Sequence, residues 1–296
     1  FLQERDLKDG CIHALDSTDV ATSVDTKPLV KLELPDGQVI RIYSDLNCDS
    51  GERRSKRNKS KMFVGYRVHT LCVIDVASKI AFPLLTLTTA ANHHDSQLLM
   101  PMMELAKAVG LEIKVLAADS AYEKTTDHLK LKGDGCNVVV PPKKNRKVPT
   151  DVDKQTGEVF MNQFCEQPME WDGFDLEQKT HTFICNDATR QCPFYENCQK
   201  ERSLPLDNNL LSSIPACNPK KQQIMELRKV TERPFNLLKN MDGLEHNQMK
   251  TQRSISMQTT LSHMVGLFKV LAGKRAVLAK KGQNKVPKQQ ELKLAA

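Results

Sequence analysis

Over the first 140 positions the apolar residues come in short runs, and the spacing within each run predicts its element. CIHALDSTDVAT reads as a strand carrying Asp16, and LVKLELPDGQVIRIYSD reads as a hairpin turning at Pro35-Asp36-Gly37. MFVGYRVHTLCVIDV and KIAFPLLTLTTA are β-rich runs joined through Ala77-Ser78-Lys79, which predicts adjacent antiparallel strands with Asp75 in their turn and His69 on a core or sheet face. DSQLLMPMMELAKAVG has helical spacing, with Asp95 or Ser96 as N-cap and Gly110 as the stop. IKVLAAD is the continuous apolar run of a buried strand ending at Asp119. A helix through about Lys132 follows, then CNVVVPP as a further buried strand closed by Pro141-Pro142. This order predicts an α/β fold, a mixed sheet with helices on its faces.

From about Lys147 to Lys221 long apolar runs become scarce. That stretch holds five of the nine cysteines and the single tryptophan, Trp171, and it reads as an insertion. Helical spacing resumes from Gln222 to about Asn240, with Pro234 expected to bend or break it, and again from Ile255 to Leu278. The Lys- and Gln-rich tail has almost nothing to bury and is expected to be disordered. The predicted division is a first catalytic part at 9–147, an insertion subdomain at 148–221, a helical completion at 222–280 and a basic tail at 281–296.

At 296 residues and 40% hydrophobic content the chain can bury a sizeable core. Its formal charge of +7, from 43 Lys and Arg against 36 Asp and Glu, is clustered. Arg53, Arg54, Lys56, Arg57, Lys59 and Lys61 form one patch; Lys143, Lys144, Arg146 and Lys147 form another. A polyanion is the expected partner. The first patch has no interleaved aromatics, which suits phosphate contact and not base reading. No run approaches the roughly 18 apolar residues that span a bilayer, and the start FLQERDLKDG is neither a signal nor a transit peptide, so no membrane partner and a cytosolic location are expected. The first residue is Phe1, and an N-terminal part outside this sequence is expected. Nine scattered cysteines favour reduced thiols over a disulfide framework.

Three acids offer chemistry. Asp16 and Asp119 each follow a strand-like run, and Glu232 lies in the helical run LRKVTERPFNLLKNMDGLEH. On a continuous α-helix, Arg228 to Glu232 advances about 40° past one turn and Glu232 to Lys239 falls about 20° short of two, so the carboxylate shares a stripe with two cations. Acids from two strands and a helix can seat a pair of hard divalent ions about 4 Å apart, the arrangement suited to phosphodiester cleavage and transfer. Each acid alone is equally a turn former or a helix-surface charge, with Arg228 and Glu232 a plain i,i+4 pair.

Together, Asp16 in LDST, Asp119 in ADSAY and Glu232 within Arg228-x3-Glu232-x6-Lys239 resemble the DDE transposases of bacterial insertion sequences whose third acid carries a Tyr-x2-Arg-x3-Glu-x6-Lys signature. FVGYRVHTLCVIDVASK, TTAANHHDSQLL and VVVPPKKN are similar to further segments of that group, and the likeness covers roughly residues 10 to 280. The signature tyrosine falls at Met225, a departure that bears on activity. The resemblance implies a ribonuclease H-like catalytic domain interrupted by an insertion, with Asp16, Asp119 and Glu232 as catalytic Mg²⁺ ligands for two ions, replaceable by Mn²⁺. It implies cleavage and strand transfer of insertion-sequence ends, with Arg228 and Lys239 on the DNA backbone. Arg53, Arg54, Lys56, Arg57, Lys143 and Lys144 are the further candidate DNA contacts. Double-stranded element ends, target DNA and a second copy of the chain are the implied partners, in a bacterial nucleoid-associated setting. In the matching Asn-x-His-Asp run, His94 and Asp95 occupy the family places, and Asp95 reads better as a helix cap than as a metal ligand.

Cys185-x6-Cys192-x5-Cys198, with Cys165 upstream, has the ligand type of a structural zinc site without paired Cys-x2-Cys spacing; Cys165 and His181 are both candidates for the fourth ligand. Relatives carry a comparable Cys-Pro-x4-Cys run, which QCPFYENC matches. Unrelated reduced thiols on a loop are the alternative. For the whole chain the rivals are an inactive or repurposed DNA-binding relative and a metal-dependent nuclease that cuts without joining.

Overall fold

The computed structural model describes residues 12–54, 60–141, 148–149, 151–185, 198–206, 213–241, 243–244 and 249–280. Its centre is a six-stranded mixed sheet. Strand β1 (Ile12–Ala21) pairs antiparallel with the long β5 (Ser60–Asp75) and parallel with β7 (Val115–Ala118), which pairs parallel with β8 (Asn137–Val139). On its other edge β5 is shared: β4 (Asp49–Arg54) takes its N-terminal part and β6 (Ile80–Ala90) its C-terminal part, the change falling between Gly65 and Tyr66. The hairpin β2 (Val30–Glu33) and β3 (Val39–Ile42) stands apart as a two-stranded sheet. As expected, its turn holds Gly37 at φ +80°, and Asp75 accepts the Ala77 and Ser78 amides in the β5–β6 turn.

Alternation along the strands sorts the core into layers. One sheet face, with Leu15, Leu71, Leu116 and Val138, packs on α1 (Leu99–Ala108) and α2 (Thr125–Gly133). The other, with Ala14, Cys72, Ala117 and Val139, packs on Ile224 of α3 (Pro219–Arg228). Beyond it Val20, Tyr66 and Val68 meet Phe235 of α4 (Glu232–Asn236), Leu238, and Ile255 of α5 (Gln252–Lys280). A mixed sheet with helices on both faces is the expected α/β class and is compatible with a ribonuclease H-like arrangement.

Within the predicted insertion, β9 (Glu170–Asp175), β10 (Thr180–Ile184) and β11 (Glu201–Pro205) form a separate antiparallel sheet around its own apolar cluster, where Phe183, Met169 and Val159 are buried and Trp171, Cys185 and Cys217 pack against them. The seven cysteines among the described residues are free thiols. Burial raises Cys48 to about 11 and Cys136 to about 12, which keeps them protonated and unreactive.

The largest difference from the sequence reading lies in the third-acid helix. It starts at Pro219, where Asn218 caps it by accepting the Lys220 amide, and it is not continuous. A 3₁₀ turn, Lys229–Thr231, separates α3 from α4, and Leu237–Met241 winds as a π-helical turn. The break precedes Pro234 because a proline lacks an amide and crowds the carbonyl four residues back, at Val230. The start of the helix that Gly110 ends differs too: α1 has Leu98 at its N-cap and no side-chain cap, His94 instead caps the preceding 3₁₀ turn Asp95–Gln97 by accepting the Ser96 amide, and Asp95 is drawn away to the sheet by Arg67 and Ser17.

Candidate active site

Asp16 lies within β1 and Asp119 directly after β7. The parallel ladder aligns Leu15 with Ala118, so Asp16 inside β1 and Asp119 at the end of β7 stand at the same level of neighbouring strands. Both carboxylates are half-buried, and each is held by the amide that follows it: Ser17 N to Asp16 Oδ1 at 2.9 Å, Ser120 N to Asp119 Oδ1 at 2.5 Å. On the Asp16 side chain's other oxygen, Arg228 Nη1 donates at 3.1 Å and Thr231 Oγ1 at 3.4 Å. Burial raises the Asp16 pKa above its usual value, the Arg228 charge opposes that rise, and the Asp119 carboxylate adds to it.

The 3₁₀ turn explains this contact. Residues three apart eclipse each other in 3₁₀ geometry, so Arg228 and Thr231 present one face to Asp16. Thr231 is fully buried and its hydroxyl also donates to the Arg228 carbonyl, at 2.8 Å. Pro234 gives the expected break in this helix, but nothing in the sequence singles out Thr231 as a contact of Asp16.

Glu232 follows Thr231 and opens α4, but its side chain is exposed. The stripe expected for Arg228, Glu232 and Lys239 assumes 100° per residue throughout, and the 3₁₀ and π turns break that premise. Among the described residues no group of three or more His, Cys, Asp or Glu is arranged to hold a metal ion, so Asp16 and Asp119 are brought together and Glu232 is not joined to them in one cluster. The pair nonetheless suits a hard divalent cation: its donors are all oxygens, and the Asp119 charge acts on Asp16, whose one ion pair among the described residues is to Arg228.

Lys239 lies half-buried in the π-helical turn. Arg53 and Arg54 lie in β4, whose register places Arg53 opposite Lys61. Lys56, Arg57, Lys143, Lys144 and the tail at 281–296 fall outside the described residues. So does Cys192. Of the other zinc candidates, Cys165 donates to Asn162 Oδ1 and Cys198 to the Gln199 carbonyl, while Cys185 packs in the insertion's core. His181 is buried among Phe174, Phe183 and Trp171, and its Nδ1 accepts the indole N–H at 3.1 Å.

On the sheet face opposite Asp16 lies a polar cluster that the sequence did not reveal. Arg67 donates from Nε to Asp19 Oδ1 and from Nη1 to Asp95 Oδ1, each at 3.0 Å. Ser17 Oγ donates to Asp95 Oδ2 at 3.1 Å, and the Tyr122 hydroxyl bonds His69 Nδ1 at 2.8 Å. His69 and Tyr122 are fully buried.

The sheet, the neighbouring acids and the interrupted helix agree with one sequence family. The family model for the transposase DDE domain matches residues 8–265, and the chain belongs to that family. Such a domain processes nucleic acid, and the family generally uses divalent metal ions. No curated protein matches the sequence. Among the described residues no helix is long and apolar enough to cross a membrane.

Proposed function

We propose that this chain is a DNA transposase that cleaves and rejoins the ends of an insertion sequence, with Mg²⁺ held by Asp16 and Asp119 and completed by the carboxylate of Glu232. The observation that carries this reading is the abutment of Asp16 and Asp119 at matched levels of parallel strands, close enough for the charge on one to raise the pKa of the other. Bound there, Mg²⁺ would supply activation of the attacking oxygen and stabilisation of the leaving oxygen.

The protein's own part is positional. The Ser17 and Ser120 amides fix the rotamers of the two aspartates. Arg228 neutralises Asp16 and is placed to exchange that carboxylate for a DNA phosphate, since guanidinium pairs with either. Glu232, the residue after the buried Thr231, would have to turn inward from its exposed position to join the two aspartates. The basic segments at 53–61 and 143–147 would bind the duplex backbone, and a second copy would be needed to hold two ends at once.

The test is Mg²⁺-dependent nicking of a duplex carrying the element's terminal repeat, found by locating inverted repeats around the gene. Nicking that vanishes in Asp119→Ala supports the enzyme, and recovery of joined product separates a transposase from a nuclease. A second reading, a binder without catalysis, is favoured by Met225: it stands at the signature tyrosine's place and packs against the apolar cluster of Ala14, Cys72 and Ile224. Duplex binding with no nicking in any divalent metal would establish that reading.

A further inference from the structure

The cluster behind the sheet touches both aspartate segments. Ser17 is the link to the first: its amide holds Asp16 Oδ1 at 2.9 Å while its hydroxyl is anchored to Asp95 Oδ2 at 3.1 Å. Tyr122 is the link to the second. It closes the 3₁₀ turn Ser120–Tyr122 that starts at Asp119, and its amide donates to the Asp119 carbonyl at 3.0 Å. Its buried hydroxyl reaches His69 on β5 at 2.8 Å. Asp95 stands between the two, its other oxygen taken by Arg67, which also grips Asp19 on β1. Arg67, Asp95 and Asp19 are each one-fifth exposed or less, so these contacts are shielded from water.

We infer that Asp95, with Ser17, Arg67 and Tyr122, is a positioning cluster that sets the separation of the Asp16 and Asp119 carboxylates. This rests on the reading of those two acids as a metal-binding pair. None of the four positioning side chains would touch a metal ion or DNA. They act through the Ser17 amide on one side and the Asp119 turn on the other. Carboxylate pairs bind a divalent ion tightly only when their spacing is held, and outer partners that orient ligands typically govern affinity by 10- to 100-fold. The sequence places these residues on four separated segments, β1, β5, the turn before α1 and the turn after β7, which is why no local motif announces them.

The test uses the full chain and Mn²⁺ alone as the probe, with binding followed by the loss of free-ion electron paramagnetic resonance signal. Wild type, Asp119→Ala, Ser17→Ala and Tyr122→Phe are compared first, then Arg67→Lys and Arg67→Ala, with circular dichroism melting on each. Expected is binding by wild type that Asp119→Ala abolishes and that Ser17→Ala and Tyr122→Phe each weaken tenfold or more at a temperature where all four are folded. A merely structural role would lower the melting temperature and leave the dissociation constant of the folded protein unmoved. Arg67→Lys, which keeps the charge on Asp95, should retain more affinity than Arg67→Ala. If Asp119→Ala abolishes binding but Ser17→Ala and Tyr122→Phe bind as wild type does, the positioning role is overturned and the metal reading stands. If wild type and Asp119→Ala bind alike, the metal reading falls and this inference falls with it.

Discussion

Arg228 Nη1 stands 3.1 Å from Asp16 Oδ2, so the helix end that leads to Glu232 is clipped to a carboxylate 212 positions earlier in the chain. The contact joins a strand to a helix packed on its face, and it places a cation where the sheet gathers negative charge.

That arrangement predicts opposite shifts from two substitutions. The Asp119 charge raises the Asp16 pKa and the Arg228 charge lowers it. Asp119→Asn should therefore move the Asp16 titration to lower pH, and Arg228→Gln should move it higher. Carboxyl ¹³C NMR titration of the metal-free protein reads both, and a shared direction would refute the assignment of neighbours.

Acid sensitivity follows from buried histidines. Desolvation lowers His13 and His69 from 6.5 to about 4. The unfolded chain takes up these protons near 6.5 and the folded chain only near 4, so their stabilisation is complete above about pH 6.5 and is lost as pH falls towards 4. Each contributes roughly 3 kcal/mol across that window. Urea midpoints measured from pH 7 to 4.5 should fall steadily, and a His69→Gln variant should fall less steeply.

Tyr66 donates its hydroxyl to Asp45 in the core beside β4, where both side chains are buried. Tyr66→Phe keeps the ring and leaves a buried carboxylate with only the Asn47 amide as a neighbouring donor. A loss of about 1–3 kcal/mol is expected in chemical denaturation, without loss of fold. Tyr66→Phe combined with Asp45→Asn should recover part of it.

Gly65 admits no side chain. A Cβ there would lie 2.1 Å from the Val20 carbonyl oxygen, and that atom belongs to the adjacent strand and cannot swing aside. Gly65→Ala should cost about 3 kcal/mol or prevent soluble expression, since overpacking against backbone has no rotamer remedy. Gly133→Ala, which meets nothing within 4 Å, is the matched control and should express normally.

The order of strands and helices was legible because each short apolar run carried its own period and its own stop. β7 and β8 read as buried runs, and the β5–β6 turn announced itself through Asp75. Asp119 follows the end of β7 as the apolar run implied, whereas Asp16 lies inside β1 and becomes its neighbour through the parallel β1–β7 ladder. The break in the third-acid helix was legible from Pro234, but its form was not: spacing at 100° per residue hides the 3₁₀ turn at Lys229–Thr231 that sets Thr231 against Asp16. Asp95 was misread as a cap because a local motif explains an Asp before a helix, whereas its partners, Arg67 and Ser17, are 28 and 78 positions away.

The strand shared by β4 and β6 has a mechanical consequence. Past Gly65 the only strand paired with β5 among the described residues is β4, so Asp49–Arg54 and Ser60–Gly65 run out from the sheet as a two-stranded ribbon. At 3.3–3.4 Å per residue it reaches about 17 Å, and Arg53, Arg54 and Lys61 cross at its outer end. Its length sets how far that outer end stands from the sheet: trimming two residues from each strand would draw the backbone at Arg53 and Lys61 inward by roughly 7 Å and keep the alternation of faces along both strands.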